Sequence, residues 1–424
     1  MRLKQKIKNL VLIAVSVIGI IFFMEEVRVS ANPLPAAYDL REIGKSPTVK
    51  NQGELETCWA VAATSAMESV LLPTETMVFS ADHMSLQNPY RLGQETGGTY
   101  SMVMAYLTSW LGPVLEEDDI YGDGITTEGL MPQKHVQEMQ MITKKDYSAI
   151  KQLVYEQGAV QTSIYMDMQG PVSSSIYYNE YDFAYCYTGE EDPNHDVLVI
   201  GWNDSYPKEN FTAEVSTDGA FICQNSWGDR FGEAGVFYVS YEDVQIGGYS
   251  IAYTKIEETD NYDSLYQTDL FGWVGQLGYE ENVCYFTNVY QSKSAETVEA
   301  IGIYAVGKDT RYTIYKSENV TRKLSLINRE KIQSGTIENM GYYTIELEEK
   351  FHVEAGQQFA IIVEIETKDE LFPVAAEYQM DEATQMVTIE DGEGYISYNG
   401  WAWESTETLY DCNVCLKVYT TNRP

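Results

Sequence analysis

A few residues in this chain have types and spacing that suit nucleophilic chemistry. Cys58 stands in "NQGELETCWAVAA", directly before Trp59 at the mouth of an apolar, alanine-rich run. A thiol attacks well only as its thiolate, and the free N–H groups at a helix start favour that anion. From Cys58 to Leu72 there is no Gly or Pro, so the run reads as a mostly buried helix that starts at the sulfur, with Thr57 as its cap. Taken alone, Cys58 reads more readily as a core residue, because free cysteines are among the most buried residues.

A second group must take the thiol proton and return it to a leaving amine, and imidazole does this near neutral pH. The chain holds 4 histidines. His83 and His135 fall in polar helical or loop segments and His352 in the C-terminal region, whereas His195 opens the strand pattern "HDVLVIGW", which holds its ring on a rigid element. Asn225, in "QNSWG", offers a side-chain oxygen that fixes the ring's tautomer. Gln52, upstream of the thiol, offers an amide N–H to an oxyanion alongside the backbone N–H of Cys58. Each residue is ordinary singly. Together they supply nucleophile, base, orienter and oxyanion donor.

The elements that position these groups follow an α+β order. "HMSLQNPYRLG" and "SMVMAYLTSWLGP" read as helical or turn segments, and "KKDYSAIKQLVYEQG" as an amphipathic helix with Ile150, Leu153 and Val154 inward and Gly158 closing it. Then come "AVQTSIYM", "DVLVIGW", "GAFICQNSW", "GVFYVSY" and "YSIAYTKI", short and β-like. The acidic stretch "EETDNYDSLYQTD" marks a boundary, beyond which almost everything reads as strand and predicts a β-sandwich. In it, "SYNGW" carries the Asn-Gly pair of a two-residue hairpin turn.

At its start the chain has Arg2, Lys4, Lys6 and Lys8, then "LVLIAVSVIGIIFF", then small residues up to Ala31, the pattern of a secretory signal peptide over residues 1–31. The apolar run is shorter than the roughly 20 residues that span a bilayer, so no membrane anchor is expected after cleavage. The predicted units are residues 32–256 and 257–424. A net charge of −36 repels nucleic acid and anionic membranes and suits a soluble exported protein. With 6 cysteines, disulfides are not expected to hold the fold together. "DCNVC" has no second Cys or His pair to complete a zinc site, so no metal or organic cofactor is expected.

At "NQGELETCWA", "NHDVLVIGW" and "NSWGDRFGEAGVFYV" the sequence resembles the papain family of cysteine peptidases. Cysteine and histidine lie 195 − 58 = 137 positions apart, inside the roughly 130–150 of that family. The longer reach to Asn225 falls in the polar stretch "NDSYPKENFTAEVSTDG", where insertion costs little. "GGTYSMVMAYLTSWLGPVLEEDD" and the tail resemble a secreted bacterial branch in which a two-lobed papain-like domain precedes a lectin-like all-β domain. The resemblance implies an extracellular or cell-surface endopeptidase acting on peptide or protein substrates through Cys58, His195, Asn225 and Gln52. It also implies that Trp227 shields the Asn225–His195 hydrogen bond, that Trp59 supports the site, and that Gly97 and Gly98 pair with an extended substrate.

The sequence also departs from that pattern. Glu56 stands where the family has glycine, which suggests a narrowed passage and weak activity, or a bias toward small or basic residues before the scissile bond. Asp196 replaces a small apolar residue and, by strand alternation, is expected to face away from the site. Leu55 replaces a cysteine that many relatives pair. The long inhibitory pro-segment of the family has no counterpart between Ala31 and Tyr38. Two other readings remain: an inactive relative serving as an adhesin whose tail binds surface glycans, and a cell-wall peptide hydrolase.

Overall fold

The computed structural model describes residues 33–321, 323–389 and 392–423, and the expected signal peptide lies outside them. The fold is α+β. A helix spans Cys58–Leu71, and all of its residues but Val70 are buried. That burial is why its sequence is apolar nearly all round and carries no clean amphipathic stripe. Helices Ala81–Gln87 and Tyr100–Thr108 follow. The helix expected around Ile150 spans Tyr147–Glu156, with Ile150, Leu153 and Val154 buried.

The strand His195–Asn203 lies between Val160–Ile164 and Ala220–Gln224, antiparallel to both. Its register sets Ile164 opposite His195 and Ser163 opposite Asp196. The polar insertion joins two strands, as expected, with one short 3-10 turn at Lys208–Asn210. Tyr249–Glu257 runs between Val160–Ile164 and a further strand, His135–Thr143. That last strand was not expected. Its buried Gln137 breaks the apolar alternation that marks a strand.

Beyond residue 257 the chain forms a sandwich. One face holds Glu296–Ala305, Met340–Val353 and Leu416–Asn422, the other Val283–Gln291, Thr310–Ser317 and Gln358–Glu366. A shared core packs Ile301, Ile303, Leu416 and Val418 against Phe286, Ile361 and Val363. The Asn399–Gly400 pair sits in a loop longer than the expected two-residue turn, because pairing resumes only at Glu404 and Ser405. Asn399 instead accepts hydrogen bonds from the N–H groups of Trp401 and Ala402, a local turn stabilised by its own side chain.

The two regions share a sheet. Met340–Tyr343 pairs with Glu138–Met141, so strands of the sandwich continue into the sheet that carries His195. Gly341 sits at this junction with φ +146°, and a Cβ there would lie 2.0 Å from the Met139 carbonyl oxygen. No side chain fits.

Candidate active site

Cys58 is the first residue of its helix and Thr57 the residue before it, whose carbonyl accepts from Ala60 and Val61 N–H. The Thr57 hydroxyl does not cap the helix, contrary to expectation, because it is bonded to the Tyr121 hydroxyl instead. A groove of about 740 Å³ runs over the sulfur. Its lining includes Glu56, Cys58, Trp59, Gly97, Gly98 and His195.

His195 Nε2 lies 2.8 Å from Asn225 Oδ1, which also accepts from Ser226 N–H at 2.7 Å. An amide oxygen only accepts, so Nε2 carries the proton and Nδ1 keeps its lone pair. Trp227 packs beside the imidazole at 4.9 Å between ring centroids. Gln52 is not among the groove-lining residues. Its Nε2 donates to the Leu55 carbonyl at 2.7 Å and its Oε1 accepts from the Ser226 hydroxyl at 2.5 Å. One of the two amide hydrogens is thereby used.

The electrostatics differ from the expectation of a thiol acidified by the helix start. Burial pushes the Cys58 thiol up to about 12, the Asp196 carboxylate adds to the rise, and the N–H groups of Asp196 and Trp59 oppose it. Burial likewise pushes His195 down to about 4, against the Asn225 hydrogen bond. Both shifts favour the uncharged form. The helix start alone therefore does not hold the free thiol as an anion.

The two glycines differ. Gly97 has φ +72° and open space around it, while a Cβ on Gly98 would lie 2.3 Å from the Trp59 ring. Trp59 therefore accounts for the second glycine by packing. Glu56 is exposed at the groove rim and is the smallest of the influences raising the thiol. Asp196 corrects the sequence reading, since it lines the groove and acts on the sulfur more strongly than Glu56. The strand begins at His195, at the edge of the cleft, so both of its faces border the groove there. Tyr100, Met141, Ser163 and Tyr249 also line the groove and carry no motif. Only the pairing register brings Ser163 beside Asp196.

His83 and His135 are engaged elsewhere. His83 Nδ1 lies 2.6 Å from the Tyr106 hydroxyl. His135 opens a strand, stacks on Trp110 at 4.1 Å and meets Asn261 at 2.7 Å. All six cysteines are free and buried.

A cysteine at a helix start that shares one groove with an imidazole held by an amide defines a papain-like scaffold, here fused to a β-sandwich. Residues 34–256 match the papain family cysteine protease profile and residues 265–420 the lectin like domain profile. The chain belongs to the papain family of cysteine proteases. Among curated proteins it is 26% identical over 234 residues to the senescence-specific cysteine protease SAG12 of Arabidopsis thaliana, covering 51% of this chain and 59% of that protein. To mouse pro-cathepsin H it is 27% identical over 216 residues, covering 49% and 60%. The chain thus spans under two thirds of the length of these relatives. Among solved structures, the cysteine protease and lectin-like domains of Cwp84, a surface layer associated protein of Clostridium difficile, share its fold with a TM-score of 0.80 at 24% identity, covering 93% of this chain and 90% of that one. Cwp84 after propeptide cleavage gives a TM-score of 0.81, also at 24% identity, covering 91% and 99%. No helix among the described residues is long and apolar enough to cross a membrane.

Proposed function

We propose that this protein is an exported cysteine endopeptidase, with a peptidase unit over residues 32–256 and a lectin-like unit over 257–424, working outside the cell or at its surface. A peptide enters the groove and Cys58 Sγ attacks its carbonyl carbon as the thiol proton passes to His195 Nδ1. Asn225 holds the ring and stabilises the imidazolium that forms, while Trp227 keeps water from that hydrogen bond. The oxyanion is met by the Cys58 N–H and the free Gln52 amide hydrogen. The imidazolium then gives its proton to the leaving amine, and water, activated by the same imidazole, releases the acyl group from sulfur.

One observation carries this reading: Cys58 and His195 line one groove while Asn225 fixes the tautomer that leaves a lone pair free. Two features favour the rival, an inactive glycan-binding relative: the thiol pushed up to about 12, and exposed Tyr398 and Trp401 on the tail. An epoxysuccinyl electrophile separates the two. Irreversible labelling of the parent, lost in Cys58→Ala, is the expected result, and glycan binding by an unlabelled, inert protein would overturn it.

A further inference from the structure

Asp196 is 8% exposed, yet no ion pair among the described residues includes it. Its two oxygens are held by neutral donors: the Ser163 hydroxyl reaches Oδ1 at 2.7 Å and the Gln161 amide reaches Oδ2 at 2.7 Å. These donors are themselves fixed. Tyr100 OH meets Ser163 Oγ at 2.7 Å, and Tyr253 OH donates to Gln161 Oε1 at 2.8 Å. The carboxylate is therefore oriented without being neutralised. A buried anion in that position is completed by a cation.

The groove supplies none from the protein. Its lining contains Glu56, Glu95 and Asp196 and no lysine or arginine. Glu56 and Glu95 are exposed at the rim, which leaves Asp196 as the acid of the inner wall. Beside it stand Tyr100, Met141 and Tyr249, apolar surface suited to the methylene stem of a long cationic side chain whose head seeks a carboxylate.

We infer that Asp196 sets the specificity of the groove by pairing with a lysine or arginine side chain of the substrate near the scissile bond. This rests on the peptidase reading above. The anion that hinders ionisation of the free thiol becomes matched once such a substrate is seated, so the same group discourages the empty site and rewards the filled one.

The test uses the full-length mature protein and a positional fluorogenic peptide library in which lysine is compared with acetyl-lysine and arginine with citrulline. Arginine and citrulline differ in charge at nearly constant shape, lysine and acetyl-lysine differ in charge and by an acetyl group, and neither pair needs a variant. At one position near the cleaved bond, the charged member is expected to be cleaved with a kcat/KM about tenfold or more above its neutral partner. In Asp196→Asn that ratio is expected to fall to about twofold or less, and Asp196→Glu should restore part of it. Epoxysuccinyl titration counts the competent sites in every sample. Labelled protein with no charge preference anywhere overturns the inference alone, as does a preference that survives Asp196→Asn. Protein that neither labels nor cleaves any peptide overturns the peptidase reading and the inference with it.

Discussion

Asn225→Ala isolates the acceptor that holds the His195 ring. In the parent, Asn225 Oδ1 accepts a hydrogen bond from His195 Nε2 at 2.8 Å in a buried setting, with Trp227 packed beside the ring. The substitution leaves that N–H without a partner where water has little access. A hydrogen bond to a group that becomes charged contributes about 1.5–3 kcal/mol. At about 1.4 kcal/mol per tenfold, kcat/KM should fall roughly 10- to 150-fold, toward the larger end because the indole hinders a replacing water. The pH profile provides a second readout that mere loss of packing would not move. The Asn225 hydrogen bond raises the imidazole pKa against burial, so its loss sends His195 below its value of about 4 and shifts the acid limb of kcat/KM to lower pH. Stopped-flow cleavage of a fluorogenic peptide between pH 3 and 8 measures both. A fall of less than about twofold with an unmoved acid limb would refute the role given to Asn225.

Other consequences are open to direct measurement. For the parent, the preference for lysine over acetyl-lysine should weaken as pH falls through about 6, where burial places the Asp196 pKa; of the groups facing it, Cys58, His195, Tyr100 and Tyr253 stay neutral there, and Glu56 and Glu95 lie at the rim. A preference constant from pH 5 to 8 would contradict this. Gly98→Ala should destabilise the fold by about 1–3 kcal/mol in urea titrations, since the new methyl overlaps the Trp59 ring. Gly97→Ala meets no neighbour and should cost only roughly 1–2 kcal/mol of left-handed strain. Equal midpoints for Gly98→Ala and the parent would show that Trp59 moves aside freely. Gly341→Ala forces Met340–Tyr343 away from Glu138–Met141, and calorimetry should show one unfolding transition becoming two. An unchanged single transition would mean that the shared sheet does not couple the regions.

The chain displays its chemistry more openly than its joints. Cys58, His195 and Asn225 were legible because each sits in a short block whose neighbours announce the local element: a helix start, a strand start, a turn. The amphipathic helix at Ile150 and the sandwich strands were legible for the same reason, as period and punctuation are local properties. Asp196 was misjudged because alternation gives the face of a strand and says nothing of where the strand meets a cleft. The strand His135–Thr143 was hidden by polar residues such as Gln137, whose side-chain oxygen accepts from a residue distant in sequence, the Thr344 hydroxyl. The acidity of the thiol was judged from the helix start alone, whereas burial and the Asp196 carboxylate outweigh it.

The seam between Met340–Tyr343 and Glu138–Met141 also bears on where the protein can act. A lectin-like module on a slack tether would let the enzyme sweep a wide volume around its attachment point. Here, continuous main-chain pairing denies it that freedom. On the proposed reading, a surface that gripped the sandwich would also dictate the compass bearing of the cleft, and the peptides within reach would be those that come to it.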